Sequence, residues 1–158
     1  MRRLFIMRKD LNMSAGKLAA QVGHCAEAYW TRMFSRYALP HYKYEDREWH
    51  ESPRDDDYEI VGYEPTFIMG KDIFEQYIKG RFIKTICEAS NKNHLLKAKM
   101  IADEMGLVEN QDYGLIYDAC FTELTPEEPD GTTLTGIWFA PLPDETAHKI
   151  SKKYQLYK

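Results

Sequence analysis

The first 36 residues place the tightest constraint on the fold, because a short apolar run precedes a long amphipathic stretch. Residues 4–8 predict a buried strand that ends at the charged Lys9. After a polar connection, Ser14 is suited to cap a helix predicted over residues 15–36. The apolar side chains of this helix recur at steps of three and four, and they are Leu18, Val22, Cys25, Tyr29 and Met33. A strand followed directly by a helix indicates an α/β fold.

The rest of the chain repeats this alternation. The pattern predicts a short helix over residues 70–79, strands over 82–87, 113–117 and 132–140, and longer helices over 91–105 and 143–153. A chain of 158 residues suits one core, so we expect a single α/β domain over residues 1–158, with a small mixed sheet between helical layers in a three-layer α/β/α arrangement. Residues 37–79 are expected to be an insertion within it. A hairpin is predicted over residues 43–63.

Composition narrows the class of protein. No apolar run approaches the roughly 20 residues needed to span a bilayer, and the apolar residues 4–7 are too few for a signal core. The three cysteines, Cys25, Cys87 and Cys120, are an odd count without C-x-x-C spacing. This argues against a zinc site and against a secreted disulfide framework. We therefore expect a cytoplasmic protein with free thiols.

The charge is uneven along the chain. The net charge of −4 is unfavourable for binding nucleic acid. Residues 1–35, however, carry six basic and two acidic side chains, whereas residues 41–60 carry eight acidic and three basic ones. Because a local field governs docking more than the sum does, a nucleic-acid partner stays possible.

Lys17 is the most informative charged residue. It falls in the first turn of the predicted helix, where the macrodipole disfavours a cation by about 0.3–1 kcal/mol. The free N–H groups of a helix start also form an anion site. The residues that could hold a phosphate or an oxyanion there are Arg8, Lys9, Ser14, Gly16 and Lys17. The alternative is a solvated surface lysine. Gln21 and His24 share the helix face of Lys17, as a polar strip opposite the apolar stripe.

Asp118 directly follows a predicted strand. Ligands of α/β folds bind beyond the carboxyl ends of parallel strands, which makes residues 9–17 and 118–122 the candidate segments. Asp118 could act as a general base or orient a catalytic group, or it could cap a turn. Cys120 is a weaker candidate as a nucleophile, because nothing in its surroundings marks the thiol as activated.

Two stretches resemble the archaeal and eukaryotic type of peptidyl-tRNA hydrolase. Residues 5–26 are similar to its opening signature, which contains an arginine and an aspartate, then glycine-lysine, alanine-alanine-glutamine and a histidine. Residues 115–124 resemble a later motif, with Cys120 where the family has glycine and Phe121 where it has arginine. Thr135 falls at the threonine of the family's last strand. The matches in the later motif are Asp118, Ala119 and Thr122.

The resemblance implies a four-stranded mixed sheet flanked by helices. It also implies hydrolysis of the ester between a peptide and tRNA, with tRNA as the partner and no metal or cofactor. The catalytic residues that it implies are Lys17, His24, Asp118 and Thr122. The expected substrate contacts are Arg8, Lys9, Ser14, Gly16, Gln21 and Thr135.

Other functions stay open at this point. The chain could be an inactive homologue that binds RNA, or that binds a protein through residues 37–79. It could instead hydrolyse another ester or amide. A homodimer is also possible.

Overall fold

The computed structural model describes residues 1–42 and 60–158. These residues form two compact units, one of Met1–Trp30 with Met69–Lys158 and the other of Thr31–Ile68. Strand β1 is Arg3–Arg8 and helix α1 is Ala15–Arg36, in agreement with the strand and helix predicted there.

The larger unit contains a mixed sheet. Its further strands and helices are β4 (Lys84–Ala89), α2 (Lys92–Glu104), β5 (Tyr113–Asp118), β6 (Thr133–Phe139), α3 (Asp144–Ser151) and β7 (Gln155–Leu156), and its strand order is β5-β6-β1-β4-β7. Strands β1 and β4 are parallel, and the other neighbours are antiparallel. The sheet has five strands, whereas the resemblance implied four. The fifth, β7, has only two residues, which is too short for a periodic sequence pattern.

Strand β1 is buried on both faces, as the parallel strand of an α/β sheet requires. Leu4 and Ile6 belong to the core that also contains Leu95 and Ala98 of α2 and Ile150 of α3. On the opposite face, the sulfur of Met7 lies 3.7 Å from that of Cys25 in α1. Helices therefore cover both faces of the sheet, which confirms the predicted three-layer α/β fold.

A buried arginine joins β1 to its neighbours. The Arg3 guanidinium donates hydrogen bonds to the carbonyl oxygens of Phe139 (3.1 Å), Ala26 (2.5 Å) and Cys25 (2.9 Å). It also lies over the Phe5 ring, 5.0 Å from the ring centroid. Burial lowers the pKa of Arg3 below its usual value. Because three carbonyl oxygens accept its N–H groups, this cation is satisfied without leaving the interior.

The short helix predicted over residues 70–79 is a π-helical segment, Ile73–Arg81, whose backbone leaves helical geometry at Gly80. Helix α2 begins after Asn91, whose side chain accepts a 2.8 Å hydrogen bond from the backbone N–H of His94. This is an N-cap contact.

The smaller unit contains a two-stranded antiparallel sheet, made of β2 (Ala38–Tyr42) and β3 (Ile60–Pro65). Of the hairpin predicted over residues 43–63, the first arm and the turn lie outside the described residues, and the second arm overlaps β3. In this unit the Phe67 ring packs between Phe34 and Tyr37, with ring centroids 5.9 and 6.1 Å away.

Within residues 1–42 and 60–158, no helix combines the length and the apolar character that crossing a bilayer requires.

Gly114 of β5 lies against the buried ring of Trp138. A Cβ at this position would lie 2.8 Å from three atoms of the Trp138 indole, which is fully buried. We expect Gly114→Ala to lower the free energy of unfolding by about 1–3 kcal/mol, because overpacking forces the core apart. Urea denaturation measures this.

Gly23 is the matched control, because a Cβ there would meet no atom within 4 Å and the residue lies inside α1. Gly23→Ala should raise the free energy of unfolding by about 1 kcal/mol. Equal stability of Gly114→Ala and the wild type would contradict the packing argument.

Candidate active site

The site begins at the start of α1. Ser14 caps this helix, as predicted: its hydroxyl accepts a 3.2 Å hydrogen bond from the Lys17 backbone N–H, and its carbonyl accepts one of 2.9 Å from Leu18. The Ser14 backbone N–H donates to Oε1 of Glu123 at 2.8 Å. A carboxylate at this end of the helix also complements its macrodipole. The loop that follows β5 is therefore attached to the start of α1.

Lys17 and Asp118 form an ion pair. The ammonium nitrogen of Lys17 lies 2.7 Å from Oδ2 of Asp118, and it donates to the Thr122 hydroxyl at 3.1 Å. The side chains of Lys17 and Asp118 are only 15% and 9% exposed. The structure thus brings together three of the four residues that the resemblance implied as catalytic, from two segments far apart in the sequence.

Both oxygens of Asp118 accept hydrogen bonds. Gln21 donates its side-chain N–H to Oδ2 at 2.7 Å, and the Cys120 backbone N–H donates to Oδ1 at 2.9 Å. Burial raises the pKa of Asp118, but the hydrogen bonds from Lys17 and Cys120 and the charges of Lys17 and His24 outweigh it. The net pKa of Asp118 therefore lies below its usual value, and the group is a carboxylate at neutral pH.

A hydrogen bond from Thr135 fixes the orientation of the Gln21 side chain. The Thr135 hydroxyl donates to Oε1 of Gln21 at 2.7 Å, and both side chains are buried. The pairing of β5 with β6 shifts register here, since Ile116 faces Gly136 but Tyr117 faces Leu134, so that Thr135 has no partner across the strand. Such a bulge redirects a side chain, in this case towards α1.

The burial of Gln21 differs from the predicted polar strip. Gln21 lies on the inward side of α1 together with Cys25 and Tyr29, whereas His24 is exposed. Helical spacing placed Gln21 and His24 on a common face, but the two side chains differ in burial because Gln21 is bonded to Asp118 and Thr135 in the interior. In the described part of the chain, His24 makes no hydrogen bond to Lys17, Asp118 or Thr122.

The structure gives Arg8 a role inside the protein. Its guanidinium has five N–H groups, and these donate to Asp10, Glu127 and the Leu134 carbonyl oxygen. The hydrogen bond to Glu127 is the main cause of a raised pKa for Arg8. This residue was expected to contact phosphate, but no N–H is left for that purpose.

Lys9 and Gly16, which were also expected to contact substrate, make no hydrogen bond or ion pair with Asp118 in residues 1–42 and 60–158. The Lys9 ammonium donates to the Lys158 main-chain oxygen, lies 3.4 Å from Glu88, and sits 4.3 Å from the centroid of the Tyr157 ring. Gly16 is exposed in the first turn of α1.

Sequence reasoning missed Glu123 and Glu127. Glu123 holds the loop on Ser14, and Glu127 neutralises Arg8. The partners of Glu123 and Glu127 lie 109 and 119 residues away in the chain, so local spacing gave no signal.

The loop after β5 holds two unusual residues. Cys120 has φ 58°, in the left-handed region, and its N–H closes a turn onto the side chain of Asp118. Phe121 follows with its side chain 92% exposed. Asp118 and Thr122 therefore present a carboxylate and a hydroxyl to the ammonium of Lys17, and these three groups are suited to activating water and stabilising an oxyanion.

Comparison with known proteins agrees with this chemistry. The family model described as peptidyl-tRNA hydrolase PTH2 matches residues 1–157. A peptidyl-tRNA hydrolase of Thermoplasma acidophilum is 24% identical over 150 residues, and the match covers 95% of this chain and 92% of that protein.

The Lys17–Asp118 pair should make stability depend on pH. Because the folded state lowers the pKa of Asp118, the pair stabilises the protein above the unfolded value of about 3.9 and ceases to do so as pH falls through the folded value. Lys17→Met should therefore cost about 1–3 kcal/mol at pH 7, and this cost should shrink below pH of about 4. Urea denaturation across this pH range measures both.

Lys149→Met is the control, since its ion pair with Glu145 is exposed and 3.6 Å long. It should change stability by no more than about 0.5 kcal/mol. A cost for Lys17→Met that stays constant with pH would rule out the coupling.

Cys120→Gly should stabilise the protein. A non-glycine residue in the left-handed region costs about 1–2 kcal/mol, and glycine removes this cost. Glycine also makes the unfolded chain more flexible, which offsets about 0.5–1 kcal/mol of the gain. We expect a net gain of about 0.5–1 kcal/mol in the same urea assay. Cys120→Ala keeps the Cβ and should give no gain, so equal stabilisation by both substitutions would point to the thiol instead of the backbone.

Proposed function

Because the chain belongs to the peptidyl-tRNA hydrolase PTH2 family, we propose that it hydrolyses the ester between a peptide and the 3′ end of tRNA, releasing free tRNA and free peptide. The contact that carries this proposal is the 2.7 Å ion pair between Lys17 and Asp118, next to the Thr122 hydroxyl. Such a substrate arises on ribosomes, so the proposed place of action is the cytoplasm.

Asp118 is the group proposed to hold the attacking water. Its Oδ2 already accepts from Lys17 and Gln21, whereas Oδ1 accepts only from the Cys120 N–H in the described residues. A carboxylate oxygen can accept about two hydrogen bonds, so Oδ1 has room for water. A carboxylate with a lowered pKa is a weak base, so Asp118 mainly orients the water and takes one proton from it as the tetrahedral intermediate forms. That proton passes to the 3′ oxygen of the tRNA when the ester C–O bond breaks, which restores the carboxylate.

Lys17 is the group proposed to stabilise the oxyanion. An ammonium has three N–H donors, of which two are used by Asp118 and Thr122. The third can donate to the carbonyl oxygen as it becomes negative, and the fixed charge is already in place when that happens. The same cation keeps Asp118 ionised.

Thr122 and His24 complete the proposed site from the solvent side. The Thr122 oxygen accepts from Lys17, which turns its own hydrogen outwards as a donor to the ester. His24 is exposed one turn beyond the buried Gln21 and can contact the substrate without entering the pair. Gln21 and Thr135, which were expected to touch substrate, are proposed to position Asp118 instead.

A single-turnover assay on purified peptidyl-tRNA tests the proposal. Asp118→Asn keeps the shape of the side chain but removes its charge, and Lys17→Met removes the ammonium. Each should lower the rate constant for tRNA release by at least about 100-fold. Thr122→Val should lower it less, by about tenfold.

Lys149→Met, in the exposed pair with Glu145, is the control and should release tRNA at the wild-type rate. Circular dichroism verifies that each variant is folded. Full activity of both Asp118→Asn and Lys17→Met would refute the proposal. A gel shift with tRNA would then separate binding without turnover from no binding.

A further inference from the structure

We infer that Phe121 is a stacking platform for a nucleobase at the 3′ end of the tRNA substrate. This inference rests on the proposed function and adds the way in which the site holds its substrate. Phe121 is 92% exposed and lies between the ion-paired Asp118 and Thr122 in the chain. Single exposed aromatic side chains are common on protein surfaces, and Phe121 differs from most of them in the anchoring of its loop and in the site that this loop carries.

The loop around Phe121 is attached on both sides. Before it, Asp118 accepts hydrogen bonds from Gln21 and from the backbone of Cys120. After it, Thr122 is bonded to Lys17 and Glu123 to the N–H of Ser14. Because its neighbours in the chain are fixed, the exposed Phe121 ring projects into solvent from a held stretch of backbone that also carries Asp118 and Thr122. A rigid flat surface loses little conformational entropy when a base stacks on it.

The cations near the site are already used by the protein itself. Arg8 is saturated by Asp10, Glu127 and a carbonyl oxygen. Lys17 is held by Asp118. Residues 118–128 contain four acidic side chains and no lysine or arginine, so the loop itself has no positive charge with which to bind phosphates. Stacking needs no charge, so it supplies affinity that these engaged cations do not.

The nucleobase is a better partner for the ring than the peptide. The 3′ end of every tRNA has the same CCA sequence, whereas the peptide differs from one substrate to the next. A neutral ring stacks on any base through its π face and contributes at each encounter. A contact with a peptide side chain would instead help some substrates and hinder others.

Three substitutions at Phe121 test the inference. Stacking of one base, converted to a ratio, corresponds to about 5- to 150-fold in affinity. Phe121→Ala should raise KM for peptidyl-tRNA and the Kd of a fluorescent CCA trinucleotide by that factor, with kcat within about twofold. Phe121→Trp should retain tight binding, because it keeps an aromatic face. Phe121→Leu should bind as weakly as the alanine variant.

A charged substitution and a distant one complete the set. Phe121→Arg should make binding more dependent on salt, adding about one to the slope of log K against log salt concentration, because it introduces a phosphate contact. Met100→Ala removes another exposed apolar side chain, on α2 across the sheet, and should leave KM and Kd unchanged.

The outcomes separate the two proposals. Unchanged KM and Kd for Phe121→Ala, while the wild type releases tRNA, would overturn the stacking inference and leave the hydrolase intact. Wild-type behaviour of Phe121→Leu would also overturn it, because an apolar contact would then suffice. Trinucleotide binding needs no turnover, so loss of binding in Phe121→Ala would support stacking even if the wild type released no tRNA.

Discussion

The carboxylate of Asp118 is the group around which this part of the protein is arranged. It is the last residue of β5, while its partners Lys17 and Gln21 come from the first two turns of α1. A carboxylate that is only 9% exposed is costly without compensation, so the donors that surround it also keep β5 and α1 together. The same contacts hold its pKa below the usual value. Stability and the proposed chemistry thus depend on one set of hydrogen bonds.

Polar groups behind this carboxylate are also paired. The bulge in β6 turns Thr135 to Gln21, and Gln21 in turn faces Asp118. Thr135 orients Gln21, and Gln21 orients Asp118. A buried polar network whose groups are all hydrogen-bonded specifies one geometry in this way. In the loop that follows, Cys120 has a left-handed backbone and the Phe121 side chain is exposed to solvent. The family that the sequence resembles has glycine and arginine at these two positions, so this chain departs from that pattern within the loop that carries the proposed site.

Charges near the site mostly serve the protein's own structure. Arg8 belongs to the segment that resembles the family signature, yet its donors go to Asp10 and Glu127. Lys9 holds the last residues of the chain through Lys158 and Tyr157. An uneven distribution of charge along the sequence did indicate where the basic residues lie. It did not indicate that acidic residues from later in the chain would neutralise them.

The sequence by itself determined β1, α1 with its Ser14 cap, the alternation of helices and strands, and Lys17 and Asp118 as the residues to examine. These features depend on neighbours within a turn or two, or on a family pattern, and both are visible in one dimension. Only the tertiary structure decided that Gln21 is buried, that Thr135 lies on a bulge, that Glu127 saturates Arg8, and that a two-residue β7 completes the sheet. The physical reason is that each of these features depends on the order of the strands in the sheet. That order brings together groups about a hundred residues apart, and no local sequence pattern relates such groups to one another.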